Sequence, residues 1–126
     1  MQILIIEDDP YVRRFYEHLF KLNKYQIDIA TGGEEGLRKA KILKPQVILL
    51  DIMMPKMNGL EVLRQLKEDP ETAKAKVVML TNVEDNSVTK RAETLGSSGY
   101  ILKSQVADAE LLVTIDSLLD PKKVIQ

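Results

Sequence analysis

The sequence contains no cysteine, and its one histidine is His18. Without cysteine there is no disulfide, no thiolate zinc site and no thiol nucleophile. A reducing, cytoplasmic setting is the expectation that goes with this. Long apolar runs are missing as well. The longest, Ile3–Ile6 and Val47–Leu50, fall far short of the roughly 20 residues that cross a bilayer. Met1-Gln2 leads straight into Ile3–Ile6 and then Glu7-Asp8-Asp9, without the basic start and small-residue cleavage site of a secretory signal. Nor is there a surplus of one charge. The 18 Lys+Arg stand against 19 Asp+Glu for a formal net charge of −1, whereas strong binding to a nucleic-acid backbone draws on a basic excess on one face. Neither nucleic acid nor membrane is therefore expected as a direct partner.

What is there suits one folded domain. A chain of 126 residues, 44% hydrophobic, can bury roughly two-thirds of its unfolded surface and needs no covalent staple. Short β-branched runs alternate with stretches of helical period. Ile3–Ile6, Gln26–Ala30, Gln46–Leu50, Lys76–Leu80 and Gly99–Leu102 read as strands, and their near-continuous apolar character suits a parallel sheet buried on both faces. Val12, Phe15, Tyr16, Leu19 and Phe20 follow the i, i+3, i+4, i+7, i+8 spacing of a helix. Asp9-Pro10 supplies an N-cap followed by proline at the first helical position. Leu37 with Ala40, then Leu60, Leu63 and Leu66, then Val88, Ala92 and Leu95, and last Leu111, Leu112, Ile115, Leu118 and Leu119 mark four more helices. Stops fall near Asn23, Lys44-Pro45, Asp69-Pro70, Gly96 and Asp120-Pro121. Fivefold strand–helix alternation implies right-handed crossovers and helices on both faces. No linker divides the chain, so residues 1–120 form a single domain and 121–126 a C-terminal tail.

In open sheets of this class ligands bind beyond the carboxyl ends of the strands. The first strand runs into Glu7-Asp8-Asp9, the third into Asp51, the fourth into Thr81 and the fifth into Lys103. Were Glu7, Asp8 and Asp51 to converge, each carboxylate would raise the others' pKa, so a cation belongs among them. Carboxylate oxygens suit Mg²⁺ at about 2.0–2.1 Å, a cation held by few carboxylates and by phosphate oxygens. Roughly −3 from the acids, +2 from the metal and +1 from Lys103 leaves a near-neutral site ready for a phosphoryl group. Asp51 is then the nucleophile, with Thr81 as hydroxyl donor and Lys103 as a point charge to phosphoryl oxygens.

Glu7-Asp8, the segment Asp51-Ile52-Met53-Met54-Pro55-Lys56-Met57-Asn58-Gly59, Thr81, and Tyr100-Ile101-Leu102-Lys103, met in this order, resemble the bacterial response-regulator receiver domain of two-component signalling. The resemblance runs from the first strand to the last helix. It implies a flavodoxin-like, doubly wound (βα)5 fold of the α/β class with parallel strand order 2-1-3-4-5. It also implies that Asp51 is the phospho-acceptor and that Asp8 and Asp51 ligate Mg²⁺, or Mn²⁺ in its place, with the Met53 backbone carbonyl. Glu7 acts there through water, and Asp9 is left as the helix cap. Thr81 and Tyr100 match the switch pair, Thr81 turning to the phosphoryl group and Tyr100 following inward. The phosphoryl donor is a histidine kinase or phosphotransfer protein. A downstream protein meets the face made by helix four, strand five and helix five, where Lys90, Arg91, Glu93, Asp108 and Asp116 are candidate contacts, and phosphorylation-dependent homodimers are an option. On this reading the chain is a signalling switch that catalyses its own phosphorylation and slow dephosphorylation, not an enzyme acting on other molecules.

The sequence departs from the family pattern in places. Ser104 stands where proline commonly follows the lysine, and since a cis bond before a non-proline residue costs about 2.5–4 kcal/mol, a trans bond or a looser loop is expected. Asn82 replaces a small residue after Thr81. Met53 and Val83 are apolar where the resemblance places control of water attack, which points to a long-lived phosphorylated state. Two alternatives use the same fold. A flavin carrier would need neutral or basic groups where Glu7 and Asp8 stand, and a Mg²⁺-dependent aspartyl phosphohydrolase would need a second acid two residues after Asp51, where Met53 stands. Gly32-Gly33-Glu34-Glu35-Gly36 lacks phosphate-loop spacing and reads as a turn and helix start. His18 falls away from the Val12, Phe15, Leu19 stripe and is expected at the solvent. Met53, Met54, Met57 and Met79 are assigned to loop and core packing.

Overall fold

In the computed structural model, which describes residues 1–82, 84–103 and 108–120, strands and helices alternate from end to end. The elements are β1 (Ile3–Ile6), α1 (Pro10–Leu22), β2 (Ile27–Ala30), α2 (Gly33–Leu43), β3 (Val47–Leu50), α3 (Gly59–Glu68), β4 (Lys76–Thr81), α4 (Asn86–Leu95), β5 (Gly99–Leu102) and α5 (Asp108–Leu119). The five strands form one sheet in the order β2-β1-β3-β4-β5, and every pairing is parallel. Strand order and fold class are those the sequence implied. The expected strands shift by single residues. β2 and β3 begin one position later than anticipated, and β4 runs one residue further, so that Thr81 belongs to the ladder opposite Leu102.

The alternation of side chains along each strand divides the core in two. Leu4, Ile6, Ile48, Leu50, Val77 and Met79 face one way and meet Ala40, Val62, Leu63, Leu66 and Ala92 of α2, α3 and α4. Ile3, Ile5, Val47, Leu49, Val78 and Leu80 face the other way and meet Tyr16, Phe20, Leu111 and Ile115 of α1 and α5. β1 and β3 are buried along their whole length, whereas β5, at the sheet edge, is half-buried throughout.

Helix ends follow the local chemistry of the sequence. The Asp9 carboxylate accepts from the Tyr11 and Val12 amides, Asn58 caps α3 through the Glu61 amide and Asp85 caps α4 through the Ser87 amide, each satisfying a donor with no intrahelical partner. Gly96 ends α4 at φ 102°, a left-handed position that costs glycine little. The expectation fails at Phe15, which is 50% exposed. Tyr16 and Phe20 carry the packing of α1, and Phe15 lies to one side of them, edge-on to the Tyr16 ring at 5.1 Å between centroids. His18 is exposed, as anticipated. Of the methionines, Met54 and Met79 are buried, but Met53 is 68% exposed and no part of the core. Ser104, Val83 and the tail 121–126 lie outside the described residues.

α2 rests on β1 through Gly36, where an added Cβ would stand 2.5 Å from Ile6 Cδ1. Gly36→Ala should therefore destabilise the protein by about 1–3 kcal/mol through overpacking. Combined with Ile6→Val, which removes the Cδ1 methyl, it should cost less than the two single changes together. Urea unfolding of the four proteins checks this; strict additivity would show that the new methyl does not meet Ile6.

Candidate functional site

The parallel register brings the ends of β1, β3, β4 and β5 to one rim. The Asp51 amide donates to the Ile6 carbonyl at 3.2 Å, and the Lys103 amide to the Thr81 carbonyl at 2.8 Å, so each functional side chain leaves the sheet within a residue of a fixed ladder bond. Glu7, Asp8 and Asp51 each present a carboxylate oxygen within 4.8 Å of the other two. Glu7 and Asp51 are buried and Asp8 is partly exposed. Lys103 reaches across from β5, its Nζ 2.9 Å from Glu7 Oε2 and 3.6 Å from Asp51 Oδ2. Thr81 is fully buried at the end of β4. The sequence-derived acids, lysine and threonine thus share one rim.

Burial pushes the Glu7 carboxyl above its ordinary range; the hydrogen bond from Lys103 opposes the rise, and the Asp51 charge adds to it. Asp9 stands apart from the cluster as the α1 cap, and its amide donates to Glu7 Oε1 at 3.1 Å. Tyr100 is half-buried on β5 and packs against the α2–α4 side of the core. Burial raises its phenol pKa, partly offset by a side-chain hydrogen bond with Thr89 of α4. Asp116, a candidate partner contact, accepts from the Tyr25 hydroxyl within the chain. That contact follows burial in pushing the Tyr25 pKa up to about 12.

Two features of the site were not legible as site features in the sequence. Gly59, which reads as turn punctuation, is a packing requirement: its amide donates to the Ile52 carbonyl at 2.8 Å, and a Cβ there would lie 2.2 Å from the Asp51 carbonyl oxygen. The loop carrying Met53 closes on the end of β3 only because that atom is absent. Arg13, unremarked in the helical pattern, points its guanidinium at the β1–α1 turn and donates to the Glu7 and Asp8 carbonyls. A signal for it did exist, since a charged residue three before Tyr16 and seven before Phe20 lies on the buried stripe.

A cavity of about 340 Å³ opens beside Asp8 between the β2–α2 and β3–α3 loops, and it carries the acids Glu34 and Glu35 as well as Arg38 and Lys56. Such a lining does not suit flavin phosphate.

The response regulator receiver domain model matches residues 3–116. The chain belongs to this family. Protein PilH of Pseudomonas aeruginosa is 31% identical to this receiver domain over 118 residues, covering 94% of the chain and 97% of PilH. LnrK of Bacillus subtilis is 36% identical over 110 residues, and response regulator ArlR of Staphylococcus saprophyticus 34% over 118, covering 86% and 94% of the chain. The chain spans about half the length of those two, 49% and 52%. Among solved structures, a CheY-like receiver from Methanospirillum hungatei superimposes with a TM-score of 0.88 at 27% identity, covering 97% of this chain and 95% of that one. The BeF3-activated receiver of Klebsiella pneumoniae RstA gives 0.87 at 26%, covering 95% and 99%. The match places the chain among the receiver domains of two-component response regulators. Among the described residues no helix is long and apolar enough to cross a membrane.

Lys103→Met would leave Glu7 and Asp51 buried without their cation, and at pH 7 it should cost about 3 kcal/mol in metal-free buffer. The sign of the pH dependence follows from Glu7. A carboxyl whose folded-state pKa is raised contributes stability fully below its unfolded pKa and loses it as pH rises through the folded value. Removing Lys103 raises that pKa further, so the deficit relative to the parent should shrink as the pH is lowered to 5. Urea unfolding at both pH values measures it; an equal deficit at each would show that Lys103 does not act through Glu7.

Proposed function

We propose that Asp51 is the phospho-acceptor of this receiver domain, served by Mg²⁺ at Glu7, Asp8 and Asp51. The observation that carries the proposal is the meeting of three carboxylates and one ammonium at the rim. Three hard oxygen donors within 4.8 Å of one another suit a small divalent cation. Asp8 and Asp51 would hold the ion, together with the Met53 backbone carbonyl, and Glu7 would act on it through water. Bound there, Mg²⁺ supplies Lewis-acid neutralisation of phosphoryl oxygens.

The chain's own groups do the rest. An Asp51 carboxylate oxygen attacks the phosphorus of a phosphohistidine on a kinase or phosphotransfer protein; the new O–P bond forms as the N–P bond breaks, and the imidazole nitrogen leaves with the electron pair. Lys103, already 3.6 Å from Asp51, meets a phosphoryl oxygen. The Thr81 hydroxyl donates to another. Catalysis of this kind is mostly positioning and charge, which is why the domain phosphorylates itself once and turns nothing over. A bond between Thr81 and the phosphoryl group favours a second arrangement of the β4–α4 segment, and Tyr100 moves inward with it. The readout lies on the face of α4, β5 and α5, where a cavity of about 330 Å³ is lined by Asp85, Thr89, Tyr100 and Leu102. A downstream protein, or a second phosphorylated copy, docks on that face.

The test is intact mass after acetyl phosphate treatment. One phosphoryl group should add in the presence of Mg²⁺, none after chelation, and none to Asp51→Asn. Mg²⁺-independent addition, or addition to Asp51→Asn, would reject the assignment. A second expectation concerns lifetime. Met53 is exposed and apolar and cannot orient a water, so phospho-Asp51 should persist for minutes or longer, and Met53→Glu should shorten its decay. A half-life of seconds in the parent would rule this out.

A further inference from the structure

Arg13 occupies the fourth position of α1, on the stripe that three and seven residues later carries the buried Tyr16 and Phe20. A charged residue on an inward stripe needs partners. It finds them at the turn that ends β1: Nη1 lies 3.1 Å from the Glu7 carbonyl oxygen and 3.2 Å from the Asp8 carbonyl oxygen. These carbonyls stand beyond the sheet ladder, whose last bonds here are Glu7 amide to Ala30 and Asp51 amide to Ile6. One guanidinium nitrogen therefore clamps the backbone of the two consecutive residues whose carboxylates enter the acid cluster. Their side chains leave from the same backbone segment that these two hydrogen bonds hold.

We infer that Arg13 is a positioning residue for the divalent cation, setting the aim of the Asp8 and Glu7 carboxylates through their own carbonyls. The inference rests on the reading of the acid cluster as a Mg²⁺ site. Mg²⁺ demands near-ideal octahedral geometry, so a turn free to rotate binds it less well. Groups that orient ligands from behind typically set affinity by about 10–100-fold. The alternative is that Arg13 acts through charge alone. A nearby guanidinium repels Mg²⁺, and on that account its removal would tighten binding. The two accounts differ in sign, so one titration separates them.

The measurement is Mg²⁺ binding, with Mg²⁺ alone, by calorimetry and by backbone amide shifts at Asp8 and Asp51, on the parent, Arg13→Met, Arg13→Lys and Arg14→Met. Positioning requires that Arg13→Met raise Kd about tenfold or more. It also requires that Arg13→Lys, whose ammonium can still donate to both carbonyls, restore most of the affinity, and that Arg14→Met, which removes an exposed neighbouring charge, not weaken binding. In acetyl phosphate reactions the half-saturating Mg²⁺ concentration of Arg13→Met should rise by the same factor, with the plateau rate close to the parent's. An unchanged or lowered Kd in Arg13→Met overturns the inference while leaving the Mg²⁺ site standing. A parent that binds no Mg²⁺ overturns the site itself, and the inference with it. Should Arg13→Met not fold, Arg13→Gln is judged by the same sign.

Discussion

The Lys103 ammonium lies between two buried carboxylates, 2.9 Å from one and 3.6 Å from the other, and the arrangement of the rim follows from what that position demands. Burying Glu7 and Asp51 together is costly, since two like charges leave water side by side. A cation anchored at the end of β5 offsets the cost only if β5 lies on the same side of β3 as β4, with its end level with theirs. Parallel register across β1, β3, β4 and β5 provides that. The salt bridge thus joins residues 96 positions apart, and it is as much a condition on topology as a contact. Three carboxylates meet one ammonium there, so residual negative charge remains once Lys103 is counted.

Much of the architecture was legible because local signals agreed with the global fold. Strands with apolar residues at every position could only be buried on both faces, and they are: β1 and β3 show no exposed position. Helix ends marked by Asp9-Pro10 and Gly96 fall where a side-chain cap and a left-handed turn put them. The rim residues were legible for a different reason, since residues that follow successive parallel strands must share an edge.

The parts that were not legible depend on distances that no local pattern encodes. Phe15 satisfies the helical spacing yet is half exposed, because Tyr16 and Phe20 fill the space over β1 and β3 and leave it no room. Asp116 looks like a solvent-facing acid until Tyr25, 91 residues away, is found donating to it. Gly59 could be any turn glycine until the Asp51 carbonyl is seen to occupy the place of its side chain. Arg13 violates the apolar stripe, and such a local rule broken at a functional rim is where sequence reasoning is expected to fail.

The strand order has a mechanical consequence. β3, which delivers Asp51, has hydrogen-bonded neighbours on both sides, β1 and β4, whereas β5, which carries Tyr100, is bonded to β4 alone. A strand laddered on both edges cannot shift without breaking two sets of bonds, while one at the border has a single set to strain. By this count the sheet is stiffest at its centre and more compliant at its two borders, β2 and β5, of which β5 carries Tyr100. A displacement that begins beside β3 thus meets the least ladder resistance at the margins, and Tyr100 stands on one of them, much as a beam clamped along its middle flexes at its free edges.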